Sequence, residues 1–359
     1  MAKAEDLEQL LDQAYEAFYA EDLESARERV DAALRLEPNA REVILLDVDL
    51  LDAEGEGEEA LNEAERGLKL FPDDLLLKVR FATLLLDIYD DVAEARPHLE
   101  DAWRRIQKGE RPDFGEDAEG EEAALELELE LLLILSDCRA ADHDPYGALE
   151  AADAAVERDR DDATARLARA AALFDLARFD EAEKAVGQAL DRDPRLADAY
   201  WLRGRLRTAL GDDEGADKAF ERAVGLDPDR FSPPHRISED EFVALMEEAL
   251  EDLPEPVQRY LKNVAIAVED LPPLERLQEN DPPLSPGSLG LFEGTPPALA
   301  PGDDPWAHFP RQLTLFRKNI EVSAATEEDV RDLIGTTLLH EVGHYLGLDE
   351  EDLDERGLA

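Results

Sequence analysis

The segment HEVGH, residues 340–344, places two of the six histidines of the chain four positions apart, with Glu341 directly after the first. On an α-helix, side chains at positions i and i+4 lie on the same face. His340 and His344 can therefore present their imidazole rings to one metal ion, and this ligand type and spacing favour Zn²⁺. Glu341 would project beside a water at that ion and could accept its proton. Because structural zinc takes four protein ligands, the motif predicts a catalytic site.

The residues that follow the motif suggest where a third ligand lies. HEVGHYLGL, residues 340–348, resembles the signature of metzincin-type zincins, HExxHxxG with a third ligand ten positions after the first histidine. In that family the glycine, here Gly347, turns the chain so that the third ligand returns to the metal. Position 350 holds Glu350 where metzincins have histidine, and a carboxylate there is typical of Asp-type zincins. Asp349, directly before it, is the alternative third ligand.

The resemblance extends over about residues 240–357. The segments LEDLPEPVQRYLKNVAIAVEDLP, LGLFEG, LTLFRKNI and HEVGHYLGLDEEDL are similar to a small bacterial zincin-like metallopeptidase family. This resemblance implies a zinc-dependent peptidase with Glu341 as the general base. The implied metal ligands are His340, His344 and Glu350. Hydrolysis would also need an edge strand that aligns the substrate, and LGLFEG and LTLFRKNI are both candidates.

Three other residues bear on the site. Met246 is the only methionine after the initiator and precedes the motif, so no methionine turn lies beneath the site as it does in metzincins. His235 and His308 are candidates for a fourth ligand or an oxyanion stabiliser. For each of these two histidines, the alternative is an ordinary loop residue.

A capped helix must position the motif. In SAATEEDVRDLIGTTLLHEVGHYLG, residues 323–347, Thr326 is the expected N-cap, with Asp329 three residues later, close to a capping box. Gly347 is the expected C-terminal stop. The stretch therefore predicts one long helix that carries both histidines.

The residues before that helix predict a small mixed domain. EDEFVALMEEALEDLP reads as an amphipathic helix, and the β-branched run 264–268 reads as a strand. RQLTLFRKNIEV, residues 311–322, alternates well enough to predict a second strand with Leu313 and Leu315 turned inward. LGLFEG adds a short extended piece. Residues 231–359 are thus predicted to form an α/β domain of two or three strands.

The first two-thirds of the chain repeats itself at an offset of 34 residues, with Ala148, Ala182 and Ala216 in register. Each copy combines two amphipathic helices, small residues at fixed places and a closing proline. This pattern resembles the tetratricopeptide repeat. Six units are predicted, at residues 7–40, 41–74, 75–107, 129–162, 163–196 and 197–230, with an acidic break at about 108–122. The fold class is therefore mainly α: an N-terminal α-solenoid over residues 1–230, then the small zincin-like domain.

The resemblance to tetratricopeptide repeats implies a protein or peptide partner bound along the concave face. Repeat positions that match this face include Asp198, Trp201 and Arg205. The alternatives are that Trp201 packs in the core and that Arg205 is an ordinary surface charge.

Composition restricts the partners further. The chain has 90 acidic and 38 basic residues, a net charge of −52. Such a surface repels phosphates, so neither nucleic acid nor an anionic membrane is expected as a partner. Cys138 is the single cysteine, which excludes an intramolecular disulfide, and its apolar surroundings predict a buried side chain. The N-terminal residues are acidic where a signal peptide would be basic, and no long apolar run is present, so a cytoplasmic location is expected.

Two functions remain open from the sequence. The first is a zinc-dependent peptidase whose repeats bind protein partners or substrates. The alternative is a non-enzymatic scaffold in which the zincin-like domain is a metal-binding or vestigial module. Glu341 favours the peptidase, because a purely structural metal site does not require it.

Overall fold

A computed structural model of the 359-residue chain describes residues 2–112, 114, 118–262, 264–293 and 312–346. The chain divides into two compact units, Met1–Ala168 and Arg169–Ala359. Within the described residues, no helix is both long enough and apolar enough to cross a membrane. The cytoplasmic location stays a prediction.

The first unit consists of helices that pair as antiparallel hairpins. They are α1 (Ala2–Tyr19), α2 (Leu23–Leu36), α3 (Arg41–Ala53), α4 (Gly57–Leu70), α5 (Leu75–Tyr89), α6 (Val92–Gln107), α7 (Ala118–Ala141) and α8 (Pro145–Arg158). Each predicted repeat corresponds to one hairpin. Small residues such as Ala60 and Ala64 are fully buried where the paired helices approach each other. Cys138 is buried as predicted, and burial raises the pKa of its thiol to about 11.

Helix α7 begins earlier than the repeat pattern predicts. The fourth unit was expected to start at residue 129, whereas the helix starts at Ala118. The preceding residues, AEGEEAALELE, are mainly alanine, glutamate and leucine, which have high helix propensity. The acidic break predicted at 108–122 is therefore shorter in structure, since its last residues belong to α7.

The turn within each hairpin has a recurrent backbone conformation. One residue adopts positive φ just before the second helix of each pair: Glu21, Gly55, Asp90, His143, Ala177 and Gly211. In four of these turns the next residue is an aspartate whose carboxylate accepts a backbone N–H from the first helical turn: Asp22, Asp91, Asp144 and Asp212. The left-handed residue reverses the chain and the aspartate caps the helix that follows.

The second unit contains the last repeat helices and the C-terminal domain. Helix α9 (Ala163–Asp175) runs into it, and α10 (Phe179–Arg192), α11 (Ala197–Ala209) and α12 (Asp213–Leu226) follow. The C-terminal elements are α13 (Glu239–Asp252), α14 (Glu255–Leu261), β1 (Ala265–Glu269), α15 (Leu274–Leu277), β2 (Gly290–Glu293), β3 (Gln312–Phe316), α16 (Arg317–Ser323) and α17 (Glu327–Leu346). The fold class predicted from the sequence is confirmed.

In the described part of the chain, three strands form one sheet in the order β1-β3-β2. Strand β3 is central, parallel to β1 and antiparallel to β2. Its residues Leu313–Phe316 are all buried, on both faces of the sheet. The core beneath the sheet is apolar and is formed with α13 and α17, including Phe242, Val330, Ile334 and Leu338.

The second half of the predicted strand 311–322 is a helix. The chain leaves the sheet at Phe316 and forms α16, in which Arg317 pairs with Glu321 four residues later at 2.5 Å. This i,i+4 ion pair supports a helical turn and not an extended chain. Ile320 and Val322 are buried, so the apolar residues that suggested strand alternation serve a helix face instead.

Two glycines of the second unit, Gly211 and Gly335, can be replaced by alanine without a steric clash, so the effect of each replacement reports on backbone conformation. Gly211 has φ +74°, and no atom lies within 4 Å of a Cβ built there; the same open space surrounds Gly335, which is helical. We expect Gly211→Ala to lower the free energy of unfolding by about 1 kcal/mol because an L-residue disfavours left-handed φ. Gly335→Ala should raise it by about 0.5–1 kcal/mol through helix propensity. Urea denaturation of both variants gives the two changes in the free energy of unfolding. If both changes had the same sign, the assignment of left-handed φ to Gly211 and helical φ to Gly335 would be contradicted.

Candidate metal centre and its surroundings

Helix α17 carries the HEVGH motif, and its row of buried side chains fixes the rotation of the helix about its axis. Its N-terminus is capped as predicted: the Asp329 amide donates to Thr326 Oγ1 at 3.1 Å, and Asp329 Oδ2 accepts from the Thr326 amide at 2.9 Å. Val330, Ile334, Leu338 and Val342 recur every four residues and are all buried. This stripe lies in the core. His340 and Glu341 lie off the stripe and are partly exposed.

The predicted metal ligands are described only in part. The helix is continuous through Leu346, so His344 follows His340 by about one turn of backbone. The side chain of His344 and all of Asp349, Glu350 and Gly347 lie outside the described residues. Among the residues that are described, no group of three or more histidine, cysteine, aspartate or glutamate side chains could hold a metal ion. The ligand set stays a prediction.

The carboxylate of Glu341 contacts the edge of the sheet. Its Oε2 accepts a hydrogen bond from the backbone N–H of Phe292 in β2, at 2.8 Å. The neighbouring Leu289 carbonyl accepts from Phe316 N on the β3 side, so strand alternation directs the Phe292 amide away from β3. Glu341 therefore lies beside the outer edge of β2, the edge that β3 does not use.

Close packing between α17 and β2 depends on Gly290. A Cβ at this position would lie 2.6 Å from Thr337 Cγ2, 3.3 Å from the Thr314 carbonyl oxygen and 3.5 Å from Glu341 Cγ. The missing side chain lets the helix approach the strand closely enough for Glu341 to reach the Phe292 amide. Neither Gly290 nor Phe292 was among the site residues predicted from the sequence. The glycines within LGLFEG were the available signal, because a glycine inside a strand often marks close approach of another element.

His235 is far from the motif. Its amide donates to the carbonyls of Glu321 and Ala324, immediately before α17 begins. His340 lies near the other end of this helix, roughly 20 Å away at 1.5 Å per residue. His235 therefore does not reach the HEVGH turn as a fourth ligand. His308, the second histidine considered for that role, lies outside the described residues.

The candidate partner-binding residues share one face of α11, and each contacts other parts of this unit. Asp198 pairs with Arg230 at 2.9 Å. Trp201 packs between two phenylalanine rings, with centroid distances of 4.7 Å to Phe220 and 5.0 Å to Phe231. The core-packing alternative therefore describes the contacts of Trp201. Partner contact by these residues is untested and stays a prediction.

Arg205 occupies a different environment from an ordinary surface charge. Its guanidinium lies over the ring of Phe174, 4.7 Å from the centroid, and burial lowers its pKa below the usual value. It lines a cavity of about 500 Å³ between α11 and the residues around α16.

Comparisons with known proteins agree with this architecture. Residues 261–358 match the family model for zincin-like metallopeptidase, and residues 167–231 match a tetratricopeptide-repeat model. The chain carries a tetratricopeptide-repeat region and a C-terminal zincin-like domain. The zincin-like match covers the described strands β1–β3 and all of α17, together with the positions of the predicted third ligands.

Among the solved structures that resemble this chain in fold are pilF and PilW. The pilF protein of Pseudomonas aeruginosa is 15% identical with a TM-score of 0.51, over 64% of this chain and 95% of that one. PilW, a type IV pilus biogenesis factor, is 15% identical with a TM-score of 0.51, over 62% of this chain and 94% of that one. At this identity the likeness concerns the fold alone. A comparison with curated proteins gives no significant match.

The cap of α17 should make the stability of the zincin-like domain depend on pH. Hydrogen bonds from the Thr326 side chain and from backbone amides lower the pKa of Asp329 below its ordinary value. A lowered folded-state pKa means that the stabilisation is complete above the unfolded pKa and is lost as the pH falls through the folded one. Asp329→Asn should therefore be less stable than wild type at pH 7, with the difference shrinking below about pH 4. Urea denaturation across this range measures it; a difference independent of pH would contradict the prediction.

The contact between α17 and β2 can be tested with a compensating pair. Gly290→Ala should lower the free energy of unfolding by about 1–3 kcal/mol, because the new Cβ overlaps Thr337 Cγ2. Adding Thr337→Ser removes that methyl group but keeps a hydroxyl able to bond to the Leu333 carbonyl. We expect the double variant to recover most of the loss. If it is no more stable than Gly290→Ala alone, the close approach is not what the glycine permits.

Proposed function

We propose that this protein is a zinc-dependent peptidase whose repeats bind protein partners or substrates. The observation that supports this most directly is the position of Glu341. Its carboxylate lies on the HEVGH helix and beside the outward-facing amide of an edge strand. A general base placed there would stand next to any peptide that extends the sheet.

The donor set suits zinc. His340, His344 and Glu350 would hold the ion, with Asp349 as the alternative third ligand, since two imidazoles and a carboxylate are a common catalytic zinc set. The partial exposure of His340 and Glu341 is consistent with this use, because neither side chain is enclosed in the core. When bound, zinc would polarise the scissile carbonyl and make a water more acidic. Glu341 would take the proton from that water and later deliver it to the leaving amine.

Strand β2 is the edge that we assign to the substrate. Both LGLFEG and LTLFRKNI were candidates from the sequence, but β3 has a neighbour on each side, and among the described strands β2 is the edge strand next to α17. A substrate strand would pair with the outward backbone groups of Gly290 and with the Phe292 carbonyl, since the Phe292 amide already donates to Glu341. Glu341 would thereby lie within reach of the peptide bond next to this strand, which is what a general base requires.

The face of α11 that carries the predicted partner contacts already packs against other residues of its own unit. Asp198, Trp201 and Arg205 contact residues of their own unit, and Val322 of α16 packs into the same cluster as Phe220. A partner that contacts these three side chains would have to share the surface with α16. We therefore place a long peptide partner on the repeats of residues 1–168.

The peptidase proposal is tested by separating zinc binding from cleavage. Purified wild type should contain about one zinc per chain and cleave casein or a peptide library. His340→Ala and His344→Ala should lose the metal, whereas Glu341→Gln should keep it and lose cleavage by at least 100-fold, as expected for removal of a general base. Glu328→Gln, an exposed acid on the same helix, is the matched control and should retain both.

The outcomes distinguish the two functions left open by the sequence. Absence of bound zinc in wild type would overturn the metal site and the peptidase together. Zinc binding without cleavage across a broad library would leave the scaffold function. Separate Glu350→Ala and Asp349→Ala variants identify the third ligand as the one whose loss weakens zinc binding more.

A further inference from the structure

The cavity beside α11 contains an arginine whose charge is not matched by the groups around it. Three charged side chains line this cavity: Arg205, Arg230 and Asp329. Arg230 pairs with Asp198 at 2.9 Å, and Asp329 accepts the amides of Ala325 and Thr326 at the start of α17. Within the described part of the chain, no hydrogen bond or ion pair is found for the Arg205 guanidinium. Of the three charged side chains, Arg205 is therefore the one without a hydrogen-bonded or ion-pair partner among the described residues.

The surroundings of Arg205 are mainly apolar on one side. Phe174 lies under its guanidinium, and Trp201 and Phe231 stack 5.0 Å apart along the same cavity. Asp175 is the acid whose field acts on Arg205, but one of its carboxylate oxygens accepts a hydrogen bond from Ser285 Oγ at 2.8 Å. Burial lowers the pKa of Arg205 despite this acid, which means that the cation is incompletely compensated.

The opposite wall is held in place by hydrogen bonds. Asn319 Nδ2 donates to the carbonyls of Pro286 at 2.8 Å and Ser288 at 2.7 Å, on either side of Gly287. A Cβ at Gly287 would lie 2.2 Å from Arg205 Nη2. The missing side chain therefore admits the guanidinium, and the anchored loop fixes where it lies. A positioned donor of this kind binds a ligand without first losing much conformational freedom.

We propose that this cavity binds a small carboxylate with an apolar body, the carboxylate pairing with Arg205 and the body lying against Trp201, Phe174 and Phe231. The volume of about 500 Å³ lies within the range of small-molecule sites. The planar fork of a guanidinium matches a carboxylate with two parallel hydrogen bonds. A single negative charge suits the site better than a phosphate dianion, because Asp175 and Asp329 are close and the whole chain carries a net charge of −52.

Calorimetric titration of the full-length protein with N-acetyl-phenylalanine tests this directly. We expect saturable one-to-one binding, and at least tenfold weaker binding of the neutral N-acetyl-phenylalaninamide and of inorganic phosphate. Arg205→Gln should weaken binding of the acid by about ten- to a hundredfold, the loss typical of a charged hydrogen bond. Arg203→Gln, on the same helix and 3.5 Å from Glu183, should bind like wild type.

A second variant, a peptide ligand and a control variant extend this titration. If Arg205→Gln does not fold by circular dichroism, Gly287→Ala replaces it, since its Cβ displaces the guanidinium and should weaken binding in the same way. An acetylated tetrapeptide that ends in phenylalanine tests whether the ligand is a peptide C-terminus or a free small acid. If it is a C-terminus, the protein should bind the tetrapeptide more tightly than N-acetyl-phenylalanine. Glu341→Gln should leave binding unchanged, so failure of the peptidase proposal would not affect this one. Equal binding of acid and amide, tighter binding of phosphate, or no binding of the acid at about 10 mM would each overturn it.

Discussion

The apolar stripe of α17 is the constraint on which the candidate site depends. Burial of Val330, Ile334, Leu338 and Val342 against the sheet and α13 fixes the rotation of the helix about its axis. A buried aliphatic side chain contributes roughly 1.5–3 kcal/mol, so four of them make other rotations of the helix very costly. With the rotation fixed, Glu341 has to emerge beside β2. The chemistry proposed for the site is therefore a consequence of core packing.

A second constraint joins the last repeat to the zincin-like domain. Glu321 is almost fully buried and pairs with Arg236 at 3.1 Å and Arg317 at 2.5 Å. Arg236 also reaches Asp217 on α12, and Lys318 pairs with Asp213 at 2.7 Å. The ion pairs of a buried carboxylate with two arginines are costly to break, because removing either arginine leaves the carboxylate charge incompletely paired in a poorly solvated place. This network explains why the last repeat helices belong to the same compact unit as the zincin-like domain.

The same arrangement gives the last repeats a role that the repeat pattern did not indicate. Repeats of this kind were expected to present a free concave face to a partner. Here α16 and the loop around Gly287 lie against α11 and leave a cavity around Arg205. Trp201 and Arg205, predicted as partner contacts from their repeat positions, thus line this cavity, because the domain that follows the repeats packs against α11.

Local signals in the sequence were sufficient for the repeat hairpins and for α17. The period of 34 residues located the hairpins, Thr326 and Asp329 located the start of α17, and the spacing of HEVGH located the histidines on it. Such signals act over a few residues and so can be read along the chain. The predicted start of α7 was wrong because helix propensity prevailed over the repeat period, and the prediction of α16 as strand was wrong because an i,i+4 ion pair prevailed over strand alternation.

The sequence by itself determined the repeat solenoid, the strands β1 and β3, and the helix that carries His340, Glu341 and His344. Only the tertiary structure decided that β2 is the edge strand beside Glu341, that Gly290 admits the helix there, and that Gly287 admits Arg205 to a cavity. Helix periods and caps are set by neighbours in the chain. Contacts such as Phe292 with Glu341, 49 residues apart, depend on how the sheet and helix pack, and no pattern along the chain specifies that packing.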